Sequence, residues 1–104
     1  KPRLASVPSF KLEFHVKARK EWDKLDATIR LQFAKKLKER LSSPRIEADK
    51  FSGMVDCYKI KLRSAGYRLV YQVVDDKLVI TVVAVGKRER FEAYIAAQKR
   101  VQQQ

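Results

Sequence analysis

Lys59, Lys61 and Arg63 take alternate positions in the stretch CYKIKLRSAGYRLVYQV, residues 57–73, which holds four cations, three tyrosines and no acid. Alternation with apolar residues marks a half-buried strand, so the three charges stand on one side of it and repel one another. Lysine and arginine are also poor strand formers. Chemistry on a phosphodiester would give such a row a purpose, because Arg grips phosphate bidentately and Lys supplies a point charge. An isolated lysine, with a pKa of about 10.4, is a poor base at neutral pH. Crowding by other cations lowers that value, and Lys61 is the residue most crowded. A merely solvated sheet face is the competing reading.

A hairpin has to position these groups. Setting Lys61 opposite Arg68 places Ile60 against Leu69, Leu62 against Tyr67 and Tyr58 against Tyr71, apolar against apolar, which a one-residue slip would destroy. Strands are expected at 56–63, 67–74 and 78–85. With Asp75-Asp76 as a two-residue turn, Leu69 would pair with Val82 and Tyr71 with Ile80. That apolar face is the expected core, and the opposite face collects Lys59, Lys61 and Arg68. Gly86 is expected to end the sheet. Arg88, just past the third strand, and Tyr94, early in a terminal helix over 91–101, stand close enough in sequence to complete the patch.

The N-terminal half supplies the cover. FKLEFHV alternates, with Phe10, Leu12, Phe14 and Val16 on one face and Lys11, Glu13 and His15 on the other, a half-buried strand. Ala18, Trp22 and Leu25 then fall at helical spacing. Asp26 is placed to cap a second helix in which Ile29, Phe33, Leu37 and Leu41 form one stripe. Ser42-Ser43-Pro44 stops it. The order βααβββα indicates an α+β fold: an antiparallel sheet of about four strands, an N-terminal helical hairpin and a short C-terminal helix. Residues 1–9, with Pro2 and Pro8 and no periodicity, read as a flexible tail before a single domain over 10–104, and the final glutamines as a frayed end.

The formal net charge of +12, from 24 basic and 12 acidic residues, points to a polyanionic or acidic partner. Lys35, Lys36, Lys38 and Arg40 on the second helix, with Arg63 and Arg90, are candidate RNA contacts. No apolar run approaches the roughly 20 residues of a membrane span, and the start KPRLASVPS lacks the apolar centre of a secretory signal. A single cysteine, Cys57, fits a reducing, cytoplasmic setting and reads as packing. His15 has no second ligand at metal spacing and reads as an exposed strand residue. Asp75 and Asp76 read as turn residues, so neither a metal nor another cofactor is expected.

SPRIEADKFSGMVDCYKIKLRSAGYRLVYQV, followed by VGKRER, resembles the RelE family of bacterial toxins, and KEWDKLDATIRLQFAKKLKERL is similar as well, extending the likeness from Phe10 to Arg100. The resemblance implies a RelE-like fold and metal-independent, ribosome-dependent cleavage of messenger RNA in the A site, inhibiting translation. There the RNA's own 2′-hydroxyl attacks the neighbouring phosphate. It further implies catalytic roles for Lys59, Lys61, Arg68, Arg88 and Tyr94, with Lys61 or Tyr94 as base. The implied partners are a RelB-like antitoxin, the small ribosomal subunit with its mRNA, and operator DNA reached through the antitoxin. Two readings compete: a ParE-like, non-enzymatic gyrase inhibitor, which shares the fold, and a basic RNA-binding module without catalysis.

Overall fold

The structure, a computed structural model, describes residues 9–102, leaving out the side chain of Arg90. The expected tail, save Ser9, and the last two glutamines lie outside the described residues. Alternating apolar side chains along the second half of the chain build a meander of three strands, β2 (Cys57–Leu62), β3 (Tyr67–Val74) and β4 (Val79–Lys87). A short strand, β1 (Lys11–Phe14), completes a sheet of order β1-β4-β3-β2. Helices α1 (Val16–Asp23) and α2 (Ala27–Arg40) follow β1, and α3 (Glu92–Gln102) follows β4.

The β2–β3 ladder has the expected register, with Lys61 opposite Arg68, Ile60 opposite Leu69 and Tyr58 opposite Tyr71. Elsewhere the sheet departs from expectation. It is mixed, not antiparallel throughout, because β1 runs parallel to β4. The link after β3 is a 3₁₀ turn over Asp75–Lys77 that closes on Leu78 in the left-handed region, not a two-residue turn. Tyr71 therefore pairs with Val82, not Ile80, and Leu69 with Val85, not Val82. The pairing shifts between Val70 and Tyr71, leaving Val83 as the extra residue of a β-bulge. Strand β4 also runs past Gly86 to Lys87.

The sheet is covered on both faces. Tyr58, Ile60, Leu62, Leu69, Tyr71, Val73, Ile80 and Val82 meet Ala18, Leu25, Phe33 and Leu37 of the helical hairpin. Full burial of Phe33 and Leu37 contributes about 1.5–3 kcal/mol each. On the other face Cys57, Val70, Val83 and Ala84 meet Met54 and, from α3, Ala93 and Ala97. The single apolar face expected from alternation is thus joined by a second, smaller core under α3.

Several local expectations change with this packing. Phe10, just before β1, and Phe14 on it pack on the core, but Leu12 is partly exposed and Val16 opens α1 facing solvent. His15 is not a strand residue; it caps α1, its Nδ1 accepting from Lys17 N at 3.1 Å. Asp26 sits at the N-cap of α2 without making the side-chain bond. Arg30 instead secures that corner by donating to the carbonyls of Asp23 and Leu25.

Candidate active site

Lys59 and Lys61 project from β2, and Arg68 from β3, on the face that α3 partly covers. Lys61 and Arg68 are direct cross-strand partners, so their side chains leave the sheet next to one another. Among the described residues, no carboxylate forms an ion pair with Lys59, Lys61, Arg68 or Arg88. Positive charge is held here uncompensated.

Helix α3 brings aromatic groups to the cluster. Gly86, the ladder partner of Arg68, lets the first turn of α3 come close: a Cβ there would stand 3.1 Å from Ala93 N and 3.2 Å from Glu92 Cβ. Tyr94 follows directly. Its ring centre is 5.0 Å from Arg68 Cζ and 6.0 Å from Lys59 Nζ, within reach of cation–π attraction. Phe51 meets the same ring edge-on at 4.7 Å, and Phe91 stacks beside it at 6.2 Å. The Tyr94 hydroxyl is buried with no hydrogen-bond partner among the described residues, a cost of about 1–3 kcal/mol.

Arg88 stands just beyond β4, where its backbone N–H donates to Gly66 O at 2.7 Å. That bond ties it to the β2–β3 turn, at the Lys61–Arg68 end of the sheet, with its side chain exposed. A groove of about 350 Å³, lined by Lys36, Asp49, Lys59, Lys61 and Arg63 among others, joins α2 to the cluster. Lys35 and Lys38 are exposed elsewhere on α2. Arg40 does not belong with the open cations: it donates to Asp49 Oδ2 at 2.7 Å and to Tyr71 Oη at 2.8 Å. Tyr71 in turn donates to Pro44 O at 2.7 Å, so Arg40 fastens the connection after α2 to β3. The side chain of Arg90 lies outside the described residues.

Electrostatics follow the geometry. Lys59 first, then burial, Arg68 and Arg63, hold the Lys61 ammonium below the ordinary lysine range, with Asp49 opposing weakly. Burial raises the Tyr94 phenol above its usual value, against a smaller opposite pull from Arg68. The two groups are thus shifted in opposite senses, Lys61 toward the neutral amine and Tyr94 toward the neutral phenol. Cys57 is buried, with its thiol pushed up to about 11 by desolvation, and is inert packing. Among the described residues no three of His, Cys, Asp and Glu converge as metal ligands.

Three participants escape a reading of the sequence. Phe51 lies in an irregular connection, Phe91 ends a 3₁₀ turn, and Glu21–Arg100 is an ion pair spanning most of the chain. In that pair Arg100 donates to Glu21 at 2.8 and 2.9 Å and to Val83 O at 2.8 Å, while Val85 N donates to Glu21 at 3.0 Å. It anchors the far end of α3. Only Gly86 signals any of this beforehand, since a glycine within a strand often marks a close backbone approach.

The family model described as ParE toxin of type II toxin–antitoxin system, parDE, matches residues 12–91. The mRNA interferase toxin RelE of Escherichia coli strain K12 is 63% identical over 90 residues, covering 86% of this chain and 95% of that protein. The chain belongs to the RelE family of toxins. A mutant of E. coli toxin RelE in the free state superposes with a TM-score of 0.83 at 59% identity, covering 89% of this chain and 98% of the other. The intact E. coli RelBE toxin–antitoxin complex gives 0.76 at 62% identity, over 79% of this chain and all of the matched one. This RelE-family chain thus shares its mixed sheet and three helices with those relatives. None of its described helices is long and apolar enough to cross a membrane.

Proposed function

We propose that this chain is an mRNA interferase, the toxin of a type II toxin–antitoxin pair, cutting message in the ribosomal A site. The observation that carries the reading is the uncompensated cluster of Lys59, Lys61 and Arg68 closed by Tyr94. The name of its 63%-identical relative, mRNA interferase toxin RelE, supports the same substrate.

In this mechanism Lys61 accepts the proton of the RNA 2′-hydroxyl, and the freed oxygen attacks the adjacent phosphorus. Lys59 and Arg68 stabilise the added charge on the phosphorane oxygens, and the buried Tyr94 hydroxyl donates to one of them. The bond from phosphorus to the 5′-oxygen breaks, that oxygen takes up a proton from water while the Arg88 cation offsets its developing charge, and a 2′,3′-cyclic phosphate and a free 5′-hydroxyl result. Mutual repulsion of the cations eases as the dianionic transition state forms, so binding favours that state over the ground state. Ribosomal RNA would dock on the open cations Lys35, Lys36, Lys38 and Arg63. A RelB-like antitoxin is the proposed partner, as in the E. coli RelBE complex, with operator DNA contacted through it and the cytoplasm as the site of action.

Mapping breaks in a translated message, with and without ribosomes, tests the proposal. Ribosome-dependent cuts within codons, leaving 5′-hydroxyl ends, are expected. Gyrase arrest without RNA breaks would instead favour the ParE-like alternative, and protection of RNA without cutting a passive binding module.

A further inference from the structure

Phe91 is an exposed aromatic residue of the cluster to which the mechanism gives no part. It is 59% exposed, although the apolar residues under α3 lie next to it. Its ring centre stands 5.8 Å from Arg68 Cζ and 6.2 Å from the Tyr94 ring, the two planes 26° apart. Its backbone lies at φ +54°, a left-handed conformation that aromatic residues rarely adopt. Strain of this kind collects where a site needs a side chain aimed in one direction. Phe91 N–H donates to Arg88 O at 3.3 Å, so the exposed ring and the arginine assigned to the leaving oxygen share one turn.

An exposed ring backed by a guanidinium, at the rim of a cationic cluster, offers one open π-face where nucleic acid is to lie. Every nucleobase has a complementary face, and aromatic stacking captures bases with little regard to sequence. Charge selects the occupant: uncompensated cations favour a polyanion over an apolar peptide. We propose that Phe91 is a stacking platform for a nucleobase adjoining the scissile phosphate. The inference rests on the RNA-cleaving reading and adds a base subsite to it. With the phosphate on Lys59 and Arg68, a neighbouring base stacks on Phe91 and holds the message in the cluster equally in the ground state and the transition state.

The test uses the full chain with ribosomes programmed by two messages carrying 2-aminopurine, one on each side of the cleavage position. A 2′-deoxy sugar at that position prevents cutting. Toxin binding should quench the fluorophore at one of the two positions. Phe91→Tyr should keep the quench, and Phe91→Leu, apolar but without a π-face, should lose it. On the all-ribose message Phe91→Leu should raise KM by about tenfold with kcat little changed, a split that a purely structural role would not give. Undiminished quenching and KM in Phe91→Leu would overturn the inference, as would an absence of quenching by the unsubstituted chain at both positions. Quenching by a protein that leaves the all-ribose message uncut would remove the proposed mechanism while upholding the stacking site.

Discussion

The two ends of α3 treat arginine in opposite ways. At its C-terminal end, the Arg100 side chain is 11% exposed and fully engaged, by both oxygens of Glu21 and by Val83 O. At its N-terminal end, Arg68 lies beneath Tyr94 and Phe91 with no acid paired to it among the described residues. The first arrangement has a backbone cause. The bulge at Val83 releases a carbonyl, and beyond Val82 strand β4 has no β1 partner. The Glu21–Arg100 pair stands in for the missing ladder. The second has no such cause, since the β2–β3 ladder is complete around Arg68. Neutralised cations hold this fold together; the cations left open beside aromatic rings are the ones the proposed function assigns to an RNA phosphate.

Substitutions on the two sides of this divide should separate activity from stability. The largest effect is expected at the open end. Lys61→Ala or Arg68→Ala should each slow single-turnover cleavage by about 10²–10³, the usual loss on removing one transition-state charge contact. The melting temperature should stay put or rise, because removing a member of a like-charged cluster relieves repulsion. A variant that melts early yet cuts at the normal rate would place that residue on the structural side.

Arg100→Leu should do the reverse. It strands the Glu21 carboxylate and Val83 O, at a cost of roughly 2–4 kcal/mol. In a domain of about 100 residues that lowers the melting temperature by about 10–25 °C. Well below the melting point, kcat should fall far less than in Arg68→Ala, with any residual loss arising from a looser Tyr94. Arg40→Leu belongs to the same class, because Asp49 and Tyr71 lose their shared donor. Equal kinetic damage from Arg100→Leu and Arg68→Ala would erase the distinction between the two ends.

Which charges belonged to which class was only partly legible in the sequence. The β2–β3 register could be read because apolar residues match across it in one alignment alone, and that register places Lys61 beside Arg68. The β3–β4 register could not. VITVVAV is apolar on both faces, so alternation gives no phase, and neither the link closed by Leu78 nor the bulge at Val83 has a residue signature. The stripe Ala93, Tyr94, Ala97 and Val101 shows that α3 packs, but not on which face of the sheet. Four residues of β1 carry no sign of a parallel neighbour. Arg40 looked like its basic neighbours on α2 because its partners lie 9 and 31 residues away. Acid-free spacing exposed the open cations, whereas committed cations become visible only once the chain is folded.

The finest separation is one of pH. If Lys61 is the base, cleavage rises with pH as its ammonium loses a proton and levels off near its folded-state pKa, which lies below the ordinary lysine value of 10.5. The largest cause of that depression is Lys59. Lys59→Met removes a like charge, stabilises the Lys61 ammonium and raises its pKa, so the midpoint of the rate profile should move to higher pH, whatever happens to the maximal rate. Arg68 and Arg63 still press on Lys61, so the return toward the ordinary value should be incomplete. Arg100→Leu removes a cation already neutralised by Glu21, so the midpoint should hold. A profile that keeps its midpoint in Lys59→Met, or shifts toward acid, would move the proton from Lys61 to another acceptor and leave the cluster a purely electrostatic role.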